Sequence, residues 1–168
     1  MTLTMSATGF DGFVADRGKK LWRAAWLLVG DHHLAEDLVQ TTLGKCFGRY
    51  TALNDDEQFE AYVRTALFRT YVSWWRLKRW RSETPSDALP EGTPSGAAGE
   101  ASLDVTRALN RLSTKQRAVI VLRFYEDRSV TQTATMLGIS EGSVKSHTSR
   151  ACSALREMPE LAEYRRTT

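Results

Sequence analysis

Cysteine, histidine and proline are scarce in this sequence, and long apolar runs are missing. Its two cysteines, Cys46 and Cys152, have neither a CxxC spacing nor a histidine partner. That excludes a disulfide framework and a zinc site, and reduced thiols are expected. Nothing else in the composition asks for a metal, a cofactor or a small-molecule substrate. No apolar stretch approaches the ~20 residues that span a bilayer, so membrane insertion is not expected. The opening segment MTLTMSATGF lacks both the positive and the apolar region of a signal peptide, which makes the cytoplasm the expected compartment. Strand-like alternation persists nowhere. Three of the four prolines fall within ETPSDALPEGTPSGAAGEA, residues 83–101, with three glycines and almost nothing to bury. Such a stretch reads as a linker.

What is present is helical. Phe13, Leu21, Ala24, Ala25 and Leu28 recur at helical spacing, then Leu34, Leu38, Thr41 and Phe47, then Phe59, Val63, Leu67, Trp74 and Leu77. Gly30 followed by Asp31 predicts a helix stop and the next N-cap, and TALNDDEQ (51–58) predicts a loop. Periodicity returns from Ser102 through Leu109, Leu112, Val119, Leu122, Met136, Leu137, Val144 and Leu155. Ser113 with Gln116 has the form of a capping box, which starts a helix at Thr114. With 168 residues and 42% hydrophobic content, the chain is expected to be all-α. It divides into two small helical domains, residues 1–82 and 102–168, joined by a flexible linker over 83–101.

The net charge of +3 is modest, but it is segregated. Residues 61–82 carry Arg64, Arg69, Arg76, Lys78, Arg79 and Arg81 with no acid, whereas 83–101 carry Glu83, Asp87, Glu91 and Glu100 with no base. Within the basic run, YVSWWRLKRWRS (71–82) sets Trp74, Trp75 and Trp80 among the cations. A helical wheel centred on Val63 places Phe59, Leu67, Thr70, Trp74 and Leu77 on a core-facing stripe. It turns Arg64, Phe68, Arg69, Val72, Trp75, Arg76, Arg79 and Trp80 the other way. Guanidinium groups take phosphates while flat rings stack on exposed bases, so that second face suits nucleic acid. A membrane surface asks for one clean apolar face opposite a basic one, and here the core claims the apolar stripe. A merely solvated basic face is the duller alternative.

SVTQTATMLGISEGSVKSHTSR (129–150) has helix-turn-helix spacing. Ala134 is small where two helices cross, Gly138 follows where the turn needs positive φ, and Val144 comes six residues later, facing back into the core. Thr148, Ala151 and Leu155 share the inward side with Val144, leaving Gly142, Ser143, Ser146, Ser149 and Arg150 outward. A small, hydroxylic and basic face of this kind can enter a major groove, with Arg150 reading a guanine. An ordinary helical hairpin with solvated serines is the other reading. A catalytic alternative rests on Asp31-His32-His33, a triplet found in certain metal-dependent phosphoesterases. The only further histidine is His147, so an Asp N-cap followed by two surface histidines is the simpler explanation.

Three segments in order resemble the extracytoplasmic-function (ECF) RNA polymerase sigma factors, in particular a SigE-like actinobacterial group. HLAEDLVQTTLGKCF (33–47) resembles the family's polymerase-binding helix and AYVRTALFRTYVSWWRLKRWR (61–81) its minus-ten-element helix. LSTKQRAVIVLRFYEDRSVTQTATMLGISEGSVKSHTSRACSALR (112–156) is similar to its minus-thirty-five-binding domain. The resemblance implies that Glu36, Asp37, Leu38 and Gln40 contact the β′ clamp helices of core RNA polymerase. It implies that Asn54, Asp55 and Gln58 surround a base flipped from the minus-ten element, next to Arg64, Arg69, Trp75, Arg76, Arg79 and Trp80 on the promoter strands. Ser143, Lys145, Ser146, Ser149 and Arg150 would contact the minus-thirty-five element, and their domain would dock on the β-flap. An anti-sigma factor is an implied partner. On this reading the chain is no enzyme: it directs promoter recognition and opening with binding energy alone. A helix-turn-helix regulator that acts without polymerase would account for the C-terminal half only.

Overall fold

The computed structural model describes the backbone of residues 9–81 and 100–159 and the side chains of 9–77 and 104–159. Every regular element in it is helical. Helix α1, Phe10–Val29, turns Phe13, Leu21, Ala24, Ala25 and Leu28 inward and ends at Gly30. There a left-handed backbone at φ 69° lets the Gly30 amide donate to the Trp26 carbonyl at 2.7 Å. Asp31 then caps α2, His32–Cys46, by accepting the Leu34 amide at 2.9 Å.

A 3-10 turn at Phe47–Arg49 and one helical turn at Tyr50–Leu53 lead to Asn54, whose left-handed φ of 46° stops the chain before α3, Asp56–Arg81. The loop expected over 51–58 thus shrinks to Asn54 and Asp55. Phe13, Tyr50 and Phe59 seal this end, with ring centroids 4.8 Å apart for Phe13 and Phe59 and 5.0 Å for Tyr50 and Phe59.

The second half begins with α4, Glu100–Asn110, and α5, Thr114–Ile120. Glu100 and Ala101, expected in the linker, open α4. The rest of the linker lies outside the described residues. Ser113 and Gln116 make both bonds of the capping box. After Ile120 the backbone widens into a π turn over Val121–Tyr125. Glu126 and Arg128 close it by donating to the Val121 and Leu122 carbonyls, both at 2.9 Å. Helix α6, Val130–Leu137, and α7, Glu141–Arg156, follow with Ser129 and Ser140 as N-caps and Gly138 at φ 66° between them.

The two halves pack on each other. One buried cluster holds Leu28, Leu38, Phe59, Val63, Leu67, Phe68 and Tyr71 together with Ala118, Val121 and Leu122, and Met136 and Leu137 lie against it. This corrects the two-sided reading of α3. Phe68, assigned to the outward face, is fully buried, and Leu77, assigned to the core stripe, is 52% exposed. A wheel drawn for one bundle assumes one buried face, and α3 is covered from two directions. Each large apolar side chain so enclosed contributes roughly 1.5–3 kcal/mol, which keeps the long helix fixed between the halves.

Candidate nucleic-acid and polymerase interface

In the helix-turn-helix, Ala134 and Val144 are buried together with Val119, while Ile139 and Leu137 pack at the rim. The Ile139 amide donates to the Ala134 carbonyl at 3.1 Å across the Gly138 turn. Thr131 donates its hydroxyl to Glu141 at 2.6 Å, tying α6 to α7. The two helices are therefore held at a fixed angle, and α7 offers Gly142, Lys145, Ser146, Ser149 and Arg150 to solvent, with Ser143 half-buried. On the inner side Ala151 is buried while Thr148 and Leu155 are half-buried. His147 is half-buried too. Burial first, then the charges of Lys115 and Arg150, hold its pKa below the ordinary value.

Helix α3 holds the other candidate surface. Trp75 is half-buried, its ring 6.4 Å from that of Tyr71 in an edge-on arrangement, and Arg76 is exposed. The side chains of Arg79 and Trp80 lie outside the described residues. Asn54, Asp55 and Gln58 are exposed at the opposite end of the helix, where Asp55 accepts the Glu57 amide at 2.9 Å. Arg64 is withdrawn from solvent, whereas Arg69 is exposed while its guanidinium is engaged by α6. Arg64 is 6% exposed and pairs with Glu60 and with Glu126 of the second half. Arg69 donates to the carbonyls of Met136 at 2.8 Å and Thr135 at 3.0 Å. The cation-aromatic surface expected from sequence is thus split: Arg64 is buried in ion pairs, while Arg69, Arg76 and the half-buried Trp75 remain at the surface.

On α2, Glu36, Asp37 and Gln40 are exposed along one side. Leu38 is not among them: it is fully buried with Ala35, Val39 and Thr42, so its placement at a polymerase contact is corrected to a core role. At about 100° of rotation per residue, Leu38 points well away from Glu36, Asp37 and Gln40, into the core. Asp31, the acid of the histidine triplet, spends its carboxylate on the α2 cap. His32 rests against the Trp22 ring at 5.2 Å. Among the described residues no three His, Cys, Asp or Glu side chains gather in a way that holds a metal ion.

Three charged residues were not picked out from sequence. Arg117 is buried between the halves, donating Nε to the Leu27 carbonyl at 2.6 Å and Nη1 to Asn110. Burial lowers its pKa to about 10, with the Tyr71 hydroxyl opposing, and burial raises that of Tyr71 to about 12. Glu126 is raised by burial, against the pull of Arg64. Burial also acts upward on Glu60, but the hydrogen bonds and charges of Arg64 and Arg17 outweigh it and the net shift is downward. Arg117 has no acid three or four residues away, the one trace in the sequence of a cation destined for a buried carbonyl.

A family model described as sigma-70, region 4, matches residues 102–155. The RNA polymerase sigma-E factor of Streptomyces coelicolor is 39% identical over 88% of this chain and 84% of its own length. The ECF RNA polymerase sigma factor SigL of Mycobacterium tuberculosis is 36% identical over 81% of this chain and 80% of its own. Among solved structures, the sigma factor RpoE in complex with the anti-sigma factor NepR from Bartonella quintana matches with a TM-score of 0.71 and 29% identity, covering 89% of this chain and 96% of that one. Helix order, helix-turn-helix geometry and relatives spanning both halves converge: this chain belongs to the extracytoplasmic-function RNA polymerase sigma factors.

Proposed function

We propose that the chain divides promoter recognition between its halves, as a sigma factor bound to core RNA polymerase. The observation that carries this is the pairing, on one chain, of an exposed small-and-basic α7 face with an α3 that presents Trp75 and Arg76. Lys145, Ser146, Ser149 and Arg150, with Ser143 at the rim, read the upstream element in its major groove. Trp75, Arg76, Arg79 and Trp80 hold the downstream element once its strands part, and the Asn54, Asp55 and Gln58 corner receives an unstacked base. Arg69 joins them when it leaves the α6 carbonyls. Glu36, Asp37 and Gln40 supply the polymerase contact on the β′ clamp, and the second half docks on the β-flap. An anti-sigma factor controls access to these surfaces. The site of action is the cytoplasm, in keeping with the lack, among the described residues, of any helix long and apolar enough to cross a membrane.

The test is reconstitution. The purified chain added to core polymerase is expected to yield run-off transcript from a promoter that core alone ignores. An Asp37→Ala, Gln40→Ala double variant is expected to lose co-purification with core while keeping its helical circular dichroism. Upstream-element binding by the free chain with no effect of added polymerase would instead support a plain helix-turn-helix regulator.

A further inference from the structure

Between α3 and the end of α6 lies a cleft of about 180 Å³, lined by Arg69, Val72, Ser73, Arg76 and Leu137. The four α3 residues are spaced i, i+3, i+4 and i+7, so a single stripe of the helix forms the basic wall. Leu137 adds an apolar contact from α6, and no acid lines the cleft. Arg69 donates Nε and Nη2 to the carbonyls of Met136 and Thr135 at 2.8 and 3.0 Å. Those two bonds fix its guanidinium at the surface, and Nη1 has no partner among the described residues. Arg76 and the Ser73 hydroxyl, both exposed, likewise make no hydrogen bond or ion pair among the described residues. Three donor groups, two of them cationic, are thus left over at one cleft.

We propose that this cleft binds a small phosphorylated anion, a mono- or diphosphate group held by Arg69, Ser73 and Arg76. The donors select the ligand. Guanidinium forks match phosphate oxygens in pairs and hold charged acceptors more strongly than neutral ones, and the serine hydroxyl serves a further oxygen. Two cations with no carboxylate between them suit an acceptor of more than one negative charge, which a phosphate supplies and a simple carboxylate does not. Size sets the rest. Clefts that enclose a drug-sized ligand hold about 300–1,000 Å³; this smaller one takes the phosphate group and leaves any attached nucleoside outside. Val72 and Leu137, both half-buried, keep water from one side and so strengthen the charged hydrogen bonds. A promoter strand carries the same phosphate chemistry, but Leu137 walls the cleft on the α6 side, so a free anion enters more easily than a strand that must also leave.

The experiment is isothermal titration calorimetry of the full chain with pyrophosphate in magnesium-free buffer, which is expected to show saturable binding at one site. Arg76→Gln and Ser73→Ala each remove a donor from the cleft, whereas Arg49→Gln removes an exposed arginine outside it, over the Tyr62 ring. Arg76→Gln is expected to raise the Kd about tenfold or more and Ser73→Ala to raise it several-fold. Arg49→Gln is expected to leave it unchanged. A parallel arm titrates the same variants with a single-stranded downstream-element oligonucleotide. Absence of saturable pyrophosphate binding overturns the proposal, as does an equal loss in Arg49→Gln and Arg76→Gln, which marks mere surface charge. If only the oligonucleotide responds to Ser73→Ala, the cleft belongs to the promoter strand: the free-anion site is then overturned and the reading of α3 stands.

Discussion

Asp37 and Leu38 are adjacent on α2 and have opposite fates, one in solvent and the other fully enclosed. Leu38→Ala removes a packed side chain from a cluster shared by both halves and is expected to destabilise the fold by ~2–5 kcal/mol in urea titration. Asp37→Ala leaves the urea midpoint in place. His147 gives a pH signature. Its folded pKa lies below the ordinary 6.5, so the unfolded chain takes up this proton first as pH falls. Stability is therefore full above pH 6.5 and declines as the pH drops below it. Protonation also meets a buried Nδ1 with no hydrogen-bond partner. Melting temperatures at pH 7.5 and about 5.5 are expected to differ less for His147→Gln than for wild type. At this scale the sequence is legible where chemistry is local: Asp31, Ser113 and Gly138 each announce a cap or turn within three residues. It is silent for Arg117 and Glu126, whose partners lie 90 and 62 residues away.

Among the helices, α6 and α7 are the most readable, because Ala134, Gly138 and Val144 each answer to the geometry of one tight turn. Gly138 and Gly30 both have positive φ, but a Cβ at Gly138 meets nothing within 4 Å whereas at Gly30 it meets Asn110 and Thr106. Gly138→Ala is thus expected to lose only the left-handed backbone term of ~1–2 kcal/mol, and Gly30→Ala to lose more; paired thermal melts compare them. On α7, Arg150→Ala is expected to weaken upstream-element binding by about 1–3 kcal/mol and to relax preference at one base position, read by competition with a set of point-substituted duplexes. Helix α3 is the least readable element. Periodicity finds one buried stripe, but a helix enclosed by a second half buries Phe68 and Arg64 as well, and nothing within its own 26 residues says so.

On the proposed reading the whole molecule joins an exposed duplex reader to a strand-capturing helix, and the two surfaces differ in when they act. Arg150 is needed as soon as duplex DNA is engaged, whereas a stacking ring matters only after bases unpair. The most direct test is permanganate footprinting of reconstituted holoenzyme on duplex and pre-melted promoters, with Trp75→Ala and Trp80→Ala set against Arg150→Ala. The tryptophan variants are expected to form the closed complex, to fail in opening duplex, and to recover on the pre-melted template. Arg150→Ala is expected to bind less but to open whatever it binds. Duplex opening by the tryptophan variants at the wild-type level would contradict the role assigned to α3.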